Sequence, residues 1–88
     1  MKEKEFHNWM SEYTELAESS KDHYINYLNR VEGTLGNIDA INLSDFDIFL
    51  EKIKTSFPDL AKKTTEDFHS AAVNYKHFKE WETSKINS

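Results

Sequence analysis

Histidine is the side chain that most often carries catalysis or holds a metal near neutral pH, and this chain has four: His7, His23, His69 and His77. Glu66 and His69 form a Glu-x-x-His pair, the spacing with which carboxylate bundles bind two iron ions. Such a site needs a second pair and two further inward glutamates, and the sequence offers one pair. His69 and His77 share a helical face but stand two turns apart, about 12 Å along the axis, too far to chelate one ion directly. All four histidines therefore read as surface residues. Nucleophilic chemistry lacks a setting too, since the sequence has no Gly-x-Ser-x-Gly elbow and no glycine-rich phosphate loop. Gly33-Thr-Leu-Gly36 reads as a helix C-cap and turn. Asp45 and Asp47 are acids at a helix start, where the macrodipole favours them. No catalytic residue, metal ligand or cofactor is expected, and an enzyme or metal protein is the least favoured functional reading.

The absence of cysteine excludes a disulfide framework, a thiolate zinc site and a cysteine nucleophile. Eleven basic residues face sixteen acidic ones, for a net charge of −5, and Arg30 is the sole arginine. Arginine reads phosphate and guanine edges best, so this balance counts against a strong nucleic-acid clamp. The lysines still form a pattern. Lys52 and Lys54 close one helix and Lys62-Lys63 follow Pro58, so convergence around that proline would make a small positive patch suited to phosphate. Without convergence they complement the helix dipole and keep the surface soluble. Two tryptophans give the other handle. Trp9 and Trp81 read as residues that close the core, but a partly exposed Trp81, with Tyr13, would anchor a macromolecular partner, because Trp and Tyr dominate interface hot spots.

The elements that must position these residues are helices. Phe6, Trp9, Met10, Tyr13, Leu16 and Ala17 recur at steps of three and four, predicting an amphipathic helix over 3–18. Ser19-Ser20-Lys21-Asp22 is a capping-box variant ahead of the stripe Tyr24, Tyr27, Leu28 and Val31, which predicts a second helix to about Glu32 with Gly33 as its left-handed C-cap. Residues 33–43 hold both glycines and form the longest irregular stretch. A strand at 38–42 would have no obvious partner. Ser44 and Asp47 open a third helix carrying Phe46, Phe49, Leu50 and Ile53, which ends before Phe57-Pro58. A fifth short turn fits at 59–63. Thr64-Thr65-Glu66-Asp67 then caps the last helix, to about Glu82, with Phe68, Ala71, Ala72, Tyr75 and Phe78 on one face. The polar tail 83–88 is expected to fray. The expectation is an all-α fold: one domain over residues 1–88, a bundle of four main helices.

Two stretches carry a resemblance. Ser20-Lys-Asp-His-Tyr-Ile-Asn-Tyr-Leu-Asn-Arg-Val-Glu-Gly-Thr-Leu-Gly36 and Ser70-Ala-Ala-Val-Asn-Tyr-Lys-His-Phe78 together resemble the SAM-like, core-binding N-terminal domain of phage integrases and tyrosine recombinases, and related nuclease accessory domains. The likeness covers roughly residues 19–80 and is a pattern of helix faces. It implies four or five helices that clamp DNA beside a separate catalytic domain. Its DNA-facing residues would be Lys21, Asn26, Asn29 and Arg30 on the second helix and Lys76 and Lys79 on the last.

Three functional expectations follow. The first is a non-enzymatic binding module with a protein partner, a regulator or inhibitor of the kind phages and mobile elements encode, anchored by Tyr13 and Trp81 and ringed by acids. The second is a DNA-associated accessory domain using Lys21, Arg30, Lys52, Lys54, Lys62, Lys63, Lys76 and Lys79. The third is the small enzyme or metal protein. No segment approaches the roughly 20 apolar residues of a membrane span, and residues 1–18 do not read as a signal peptide, so a soluble, cytoplasmic protein without a membrane partner is expected. A residual apolar strip would also permit a homodimer.

Overall fold

In the computed structural model, which describes residues 1–86 and the side chains of residues 1–85, the chain is all helix and turn. Helix α1 spans Glu3–Tyr13, α2 Glu18–Leu35, α3 Phe46–Ser56 and α4 Lys62–Ile86; two short 3-10 turns, Ile38–Ala40 and Leu43–Asp45, lie between α2 and α3. The described residues contain no strand, and no helix among them is long and apolar enough to cross a membrane. Helix α4 is the hub: α1, α2 and α3 all pack against it. Its face of Phe68, Ala71, Ala72, Tyr75 and Phe78 is fully buried. Phe6 from α1 meets Tyr75 edge-on at 4.9 Å and Phe78 at 5.6 Å, separations at which ring quadrupoles attract beyond simple burial.

The stripes mark the helices correctly, but several boundaries differ from the expected ones. Helix α1 stops at Tyr13, because Thr14 turns extended and both its N–H and its hydroxyl donate to the Met10 carbonyl. None of the three expected caps forms. Ser19 and Ser20 lie inside α2, which begins from Ala17 without a side-chain cap. Ser44 sits in the second 3-10 turn. Thr64 and Thr65 lie inside α4, and the Thr65 hydroxyl donates to the Ala61 carbonyl. The residues just upstream, Glu18 and Lys62-Lys63, are good helix formers, so the helix propagates backwards past the hydroxyl residue. The short turn expected at 59–63 is instead a tight turn closed from Leu60 N–H to the Phe57 carbonyl, with Lys62 and Lys63 already in α4. The tail expected to fray is helical through Ile86; residues 87 and 88 lie outside the described residues.

Gly33 is not the C-cap of α2. The helix runs two residues further because Leu35 continues the buried face of Leu28 and Val31, and the chain leaves it at Gly36, φ 92° and ψ −175°. That backbone region is open essentially to glycine alone.

A polar knot then closes the bundle. The fully buried Tyr75 hydroxyl donates to Asp39 Oδ1 at 2.6 Å and accepts the Lys2 N–H at 3.1 Å. The Met1 ammonium pairs with Glu32 at 3.0 Å and Asp39 at 3.4 Å, and Glu32 also accepts the Ile38 N–H. Burial alone would lower the ammonium pKa; the hydrogen bond and charge of Glu32, then those of Asp39, outweigh it and raise the pKa above its ordinary 8.0. Burial, followed by the bond to Asp39, raises the Tyr75 phenol far above its ordinary 10.0.

Two outcomes are expected. Gly33→Ala, with nothing within 4 Å of the added Cβ, stabilises the fold by about 0.5–1 kcal/mol. Gly36→Ala destabilises it by about 1–3 kcal/mol. Urea denaturation checks both, and equal shifts would contradict the assigned C-cap. Second, the folded Met1 ammonium has the higher pKa, so its contribution is whole below pH 8.0 and declines as pH rises through the raised value. Unfolding free energy should therefore fall between pH 8.0 and 10.0, before free tyrosine ionises, and the slope should shrink in Glu32→Gln.

Candidate functional site

The N-terminal helix and the end of α4 enclose an open groove of about 300 Å³. Glu5, Asn8, Trp9 and Glu12 line one side; their spacing of three, four and seven puts them on one face of α1. Trp81, Glu82 and Lys85 line the other, which exists because α4 continues past Glu82. The groove's two lining rings, Trp9 and Trp81, belong to a closed circuit of four. Trp9 lies 6.1 Å from Tyr13, Tyr13 5.5 Å from Trp81, Trp81 6.3 Å from Phe78, and Phe78 6.1 Å from Trp9. Phe78 is fully buried and Trp9 nearly so, Trp81 is half-buried, and Tyr13 is 52% exposed. Buried rings thus hold exposed rings in place, the arrangement that gives an anchor residue low conformational freedom before binding.

Three glutamates edge this aromatic surface. Glu82 is paired with Lys2 at 3.1 Å. Lys85 reaches over the Trp81 ring, its ammonium 5.1 Å from the centroid. Glu5 and Glu12 are exposed on the α1 side.

The structure therefore brings together Tyr13 and Trp81, the two residues expected as partner anchors. Trp9 is a core residue, and its remaining exposed surface lines the groove. The signal for the α1 wall was present as Glu5 and Glu12 flanking Trp9 at helical spacing. Lys85 could not be read, because its place depends on α4 extending into a segment of polar composition.

The basic residues are distributed differently from the expected phosphate-binding face. Lys21 is buried: its ammonium donates to Ser11 and pairs with Glu18, both at 2.8 Å, joining α1 to α2. Lys79 donates to the carbonyls of Ile41 at 2.8 Å and Asp39 at 3.3 Å and lies 5.7 Å from the Phe46 ring centroid, capping the turns between α2 and α3. Arg30 stacks over Phe68 at 5.3 Å. Lys52 and Lys54 do not converge. Lys52 borders a shallow groove with Leu35, Ile41 and the exposed Ile48, whereas Lys54 faces Thr65, Glu66 and His69 on α4 and pairs with Glu51 at 3.7 Å. Lys62 and Lys63 are exposed in the first turn of α4, and Lys76 is half-buried on the same helix.

One cluster of metal-ligating type was not anticipated. His7, Glu18 and Asp22 place one donor atom each within 4.8 Å of one another. His7 Nε2 already meets Glu18 Oε1 at 2.7 Å, and Lys21 holds the other oxygen of the same carboxylate. These two bonds, Lys21 first, lower the Glu18 pKa. The Glu18 and Asp22 side chains are about two-thirds exposed, 67% and 64%, so the cluster is a solvent-exposed polar group in which Glu18 is already held by His7 and Lys21. The Glu66–His69 pair also lies at the surface, on the α3–α4 side.

Comparison with known proteins adds no relative: no family model matches the chain, and neither curated proteins nor solved structures gave a match.

The placement of Lys79 predicts a stability effect. Lys79→Met keeps the aliphatic stem but removes the donor to the carbonyls, and should lower unfolding free energy by about 1.5–3 kcal/mol. The Lys62→Ala/Lys63→Ala pair should stay within about 0.5 kcal/mol of the parent. Urea midpoints measured together decide it; an unmoved Lys79→Met midpoint would remove the capping role.

Proposed function

We propose that this chain is a non-enzymatic binding module whose partner is a protein that docks on the α1–α4 groove through a basic surface. The observation that carries the reading is the contact of exposed Tyr13 with half-buried Trp81 inside a circuit of fixed rings, edged by Glu5, Glu12 and Glu82. Large amphipathic rings held rigid over a buried support are the usual makings of an interface hot spot. The acidic rim and the net charge of −5 favour encounter with a positively charged partner and disfavour the phosphate backbone. A small acidic helical module of this kind suits a stand-alone regulator or inhibitor, including those of phages and mobile elements. The DNA-associated reading would have to work through Lys52, Lys54, Lys62, Lys63 and Lys76, since Lys21, Lys79 and Arg30 are engaged within the fold.

The test is capture from host lysate, with nuclease-treated and untreated samples in parallel and the parent compared with Trp81→Ala and Lys62→Ala/Lys63→Ala. A protein retained in both samples, kept by the lysine variant and reduced roughly 30-fold by Trp81→Ala is the expected result, the equivalent of about 2 kcal/mol for a hot-spot truncation. Circular dichroism confirms that the Trp81 variant remains helical. Recovery confined to the untreated sample, and lost in the lysine variant, would replace this reading with the DNA-associated one.

A further inference from the structure

The geometry points to an arginine side chain of the partner as the group that fills the groove, seated against Trp81 between the α1 and α4 carboxylates and displacing Lys85. This rests on the groove being the partner site, and it specifies what the groove recognises.

The first ground is that a cation already sits there. The Lys85 ammonium is 5.1 Å from the Trp81 ring centroid, within the distance at which an indole face attracts positive charge. The chain thus supplies an internal stand-in for a ligand cation. The second ground is the composition of the walls. Glu5, Glu12 and Glu82 outnumber Lys85 by three to one among the charged lining residues. Lys2 pairs with Glu82 from outside the groove, and the exposed Glu5 and Glu12 line its α1 side. The third ground is shape. The groove is open, with Trp81 half-buried and Trp9 only 9% exposed. An enclosed aromatic cage would suit a quaternary ammonium, which needs rings on several sides. One ring face with carboxylates beside it suits a planar guanidinium, which stacks flat and turns its N–H fork to the carboxylates. Guanidinium is also more weakly hydrated than the Lys85 ammonium it would displace. This chain's own arginine, Arg30, lies over Phe68 on another helix pair, so a second copy would have to break that contact to supply the group.

Lys85 then acts as a competitive plug. It covers Trp81 in the free protein and raises the threshold for any ligand that lacks a better cation.

The experiment is a titration of the intact chain, followed by the two tryptophan indole N–H signals in NMR. The probes are blocked pentapeptides of glycine and serine with one central arginine, lysine, citrulline or norleucine. Citrulline keeps the size and planarity of arginine and removes its charge. The arginine peptide should shift both indole signals and bind roughly two- to fivefold more tightly than the lysine peptide and at least about fivefold more tightly than citrulline or norleucine. Lys85→Ala should tighten arginine binding roughly two- to fivefold, and Glu12→Gln, an exposed change that leaves the core alone, should weaken it by about the same factor. Trp81→Phe should retain part of the response. Citrulline binding as tightly as arginine, Lys85→Ala leaving affinity unchanged or weaker, or no indole response to any peptide would each overturn the inference. The two proposals fail separately. Loss of lysate capture by Trp81→Ala alongside equal citrulline and arginine binding removes the cation and keeps the protein-binding module. Selective arginine binding alongside undiminished capture removes the partner site from this groove.

Discussion

Everything in this bundle depends on the buried hydroxyl of Tyr75. A hydroxyl without partners in an apolar interior costs several kcal/mol, so the fold must bring it both an acceptor and a donor. It does so with Asp39 from the segment after α2 and the Lys2 N–H ahead of α1. Two otherwise loose pieces of chain are thereby fixed to the hub helix. The consequence for α1 is a fixed rotation and register, since Lys2 contacts α4 twice: its backbone at Tyr75 and its ammonium at Glu82, seven residues further on. Those contacts lie on one face of α4. They set where the rest of α1 falls, and so place Trp9 and Tyr13 opposite Phe78 and Trp81. The groove is a downstream product of that register.

The knot also explains why the irregular segment after α2 is ordered. Gly36 turns the chain, Asn37 accepts the Asp39 N–H, and Ile38 is fully buried beneath. Lys79 then gathers carbonyls that have no helical partner. An ammonium is well matched to that task because it has three donors and no acceptor. The same ammonium lies 5.7 Å from the centroid of the buried Phe46 ring.

The all-α architecture and the four helices were legible because aromatic stripes at helical spacing dominate the chain, and a buried ring outweighs local preferences. The boundaries were less legible for a related reason. A hydroxyl residue ends a helix only if continuing it gains nothing, and Glu18 ahead of Ser19 and Lys62-Lys63 ahead of Thr64 extend their helices at little cost. Gly33 misled in the same way, since the packing of Leu35, one turn on from Val31, outweighs the helix penalty of a glycine. The place of Tyr13 and Trp81 at the edge of the core was legible: both are large rings near helix ends, where the core runs out. Buried Lys21 and half-buried Lys79 were not. A lysine's burial is decided by what the other helices bring to it, and no local pattern encodes that Ser11 and Glu18 would enclose one ammonium and three turn carbonyls the other.

This allocation of charge shapes what the surface can attract. Lys21, Lys79 and Arg30 satisfy groups within the fold, while Glu5 and Glu12 face solvent beside the groove. The acidic character of the exposed face is therefore more concentrated than the net charge alone conveys. An open groove of about 300 Å³ offers modest apolar burial, and area alone does not set affinity. Discrimination must then come from charge and from rigidity. The ring circuit supplies the second, because Trp81 is braced by Tyr13 on one side and Phe78 on the other. The carboxylates supply the first, and Lys85 sharpens it by making every occupant compete with a cation already in place.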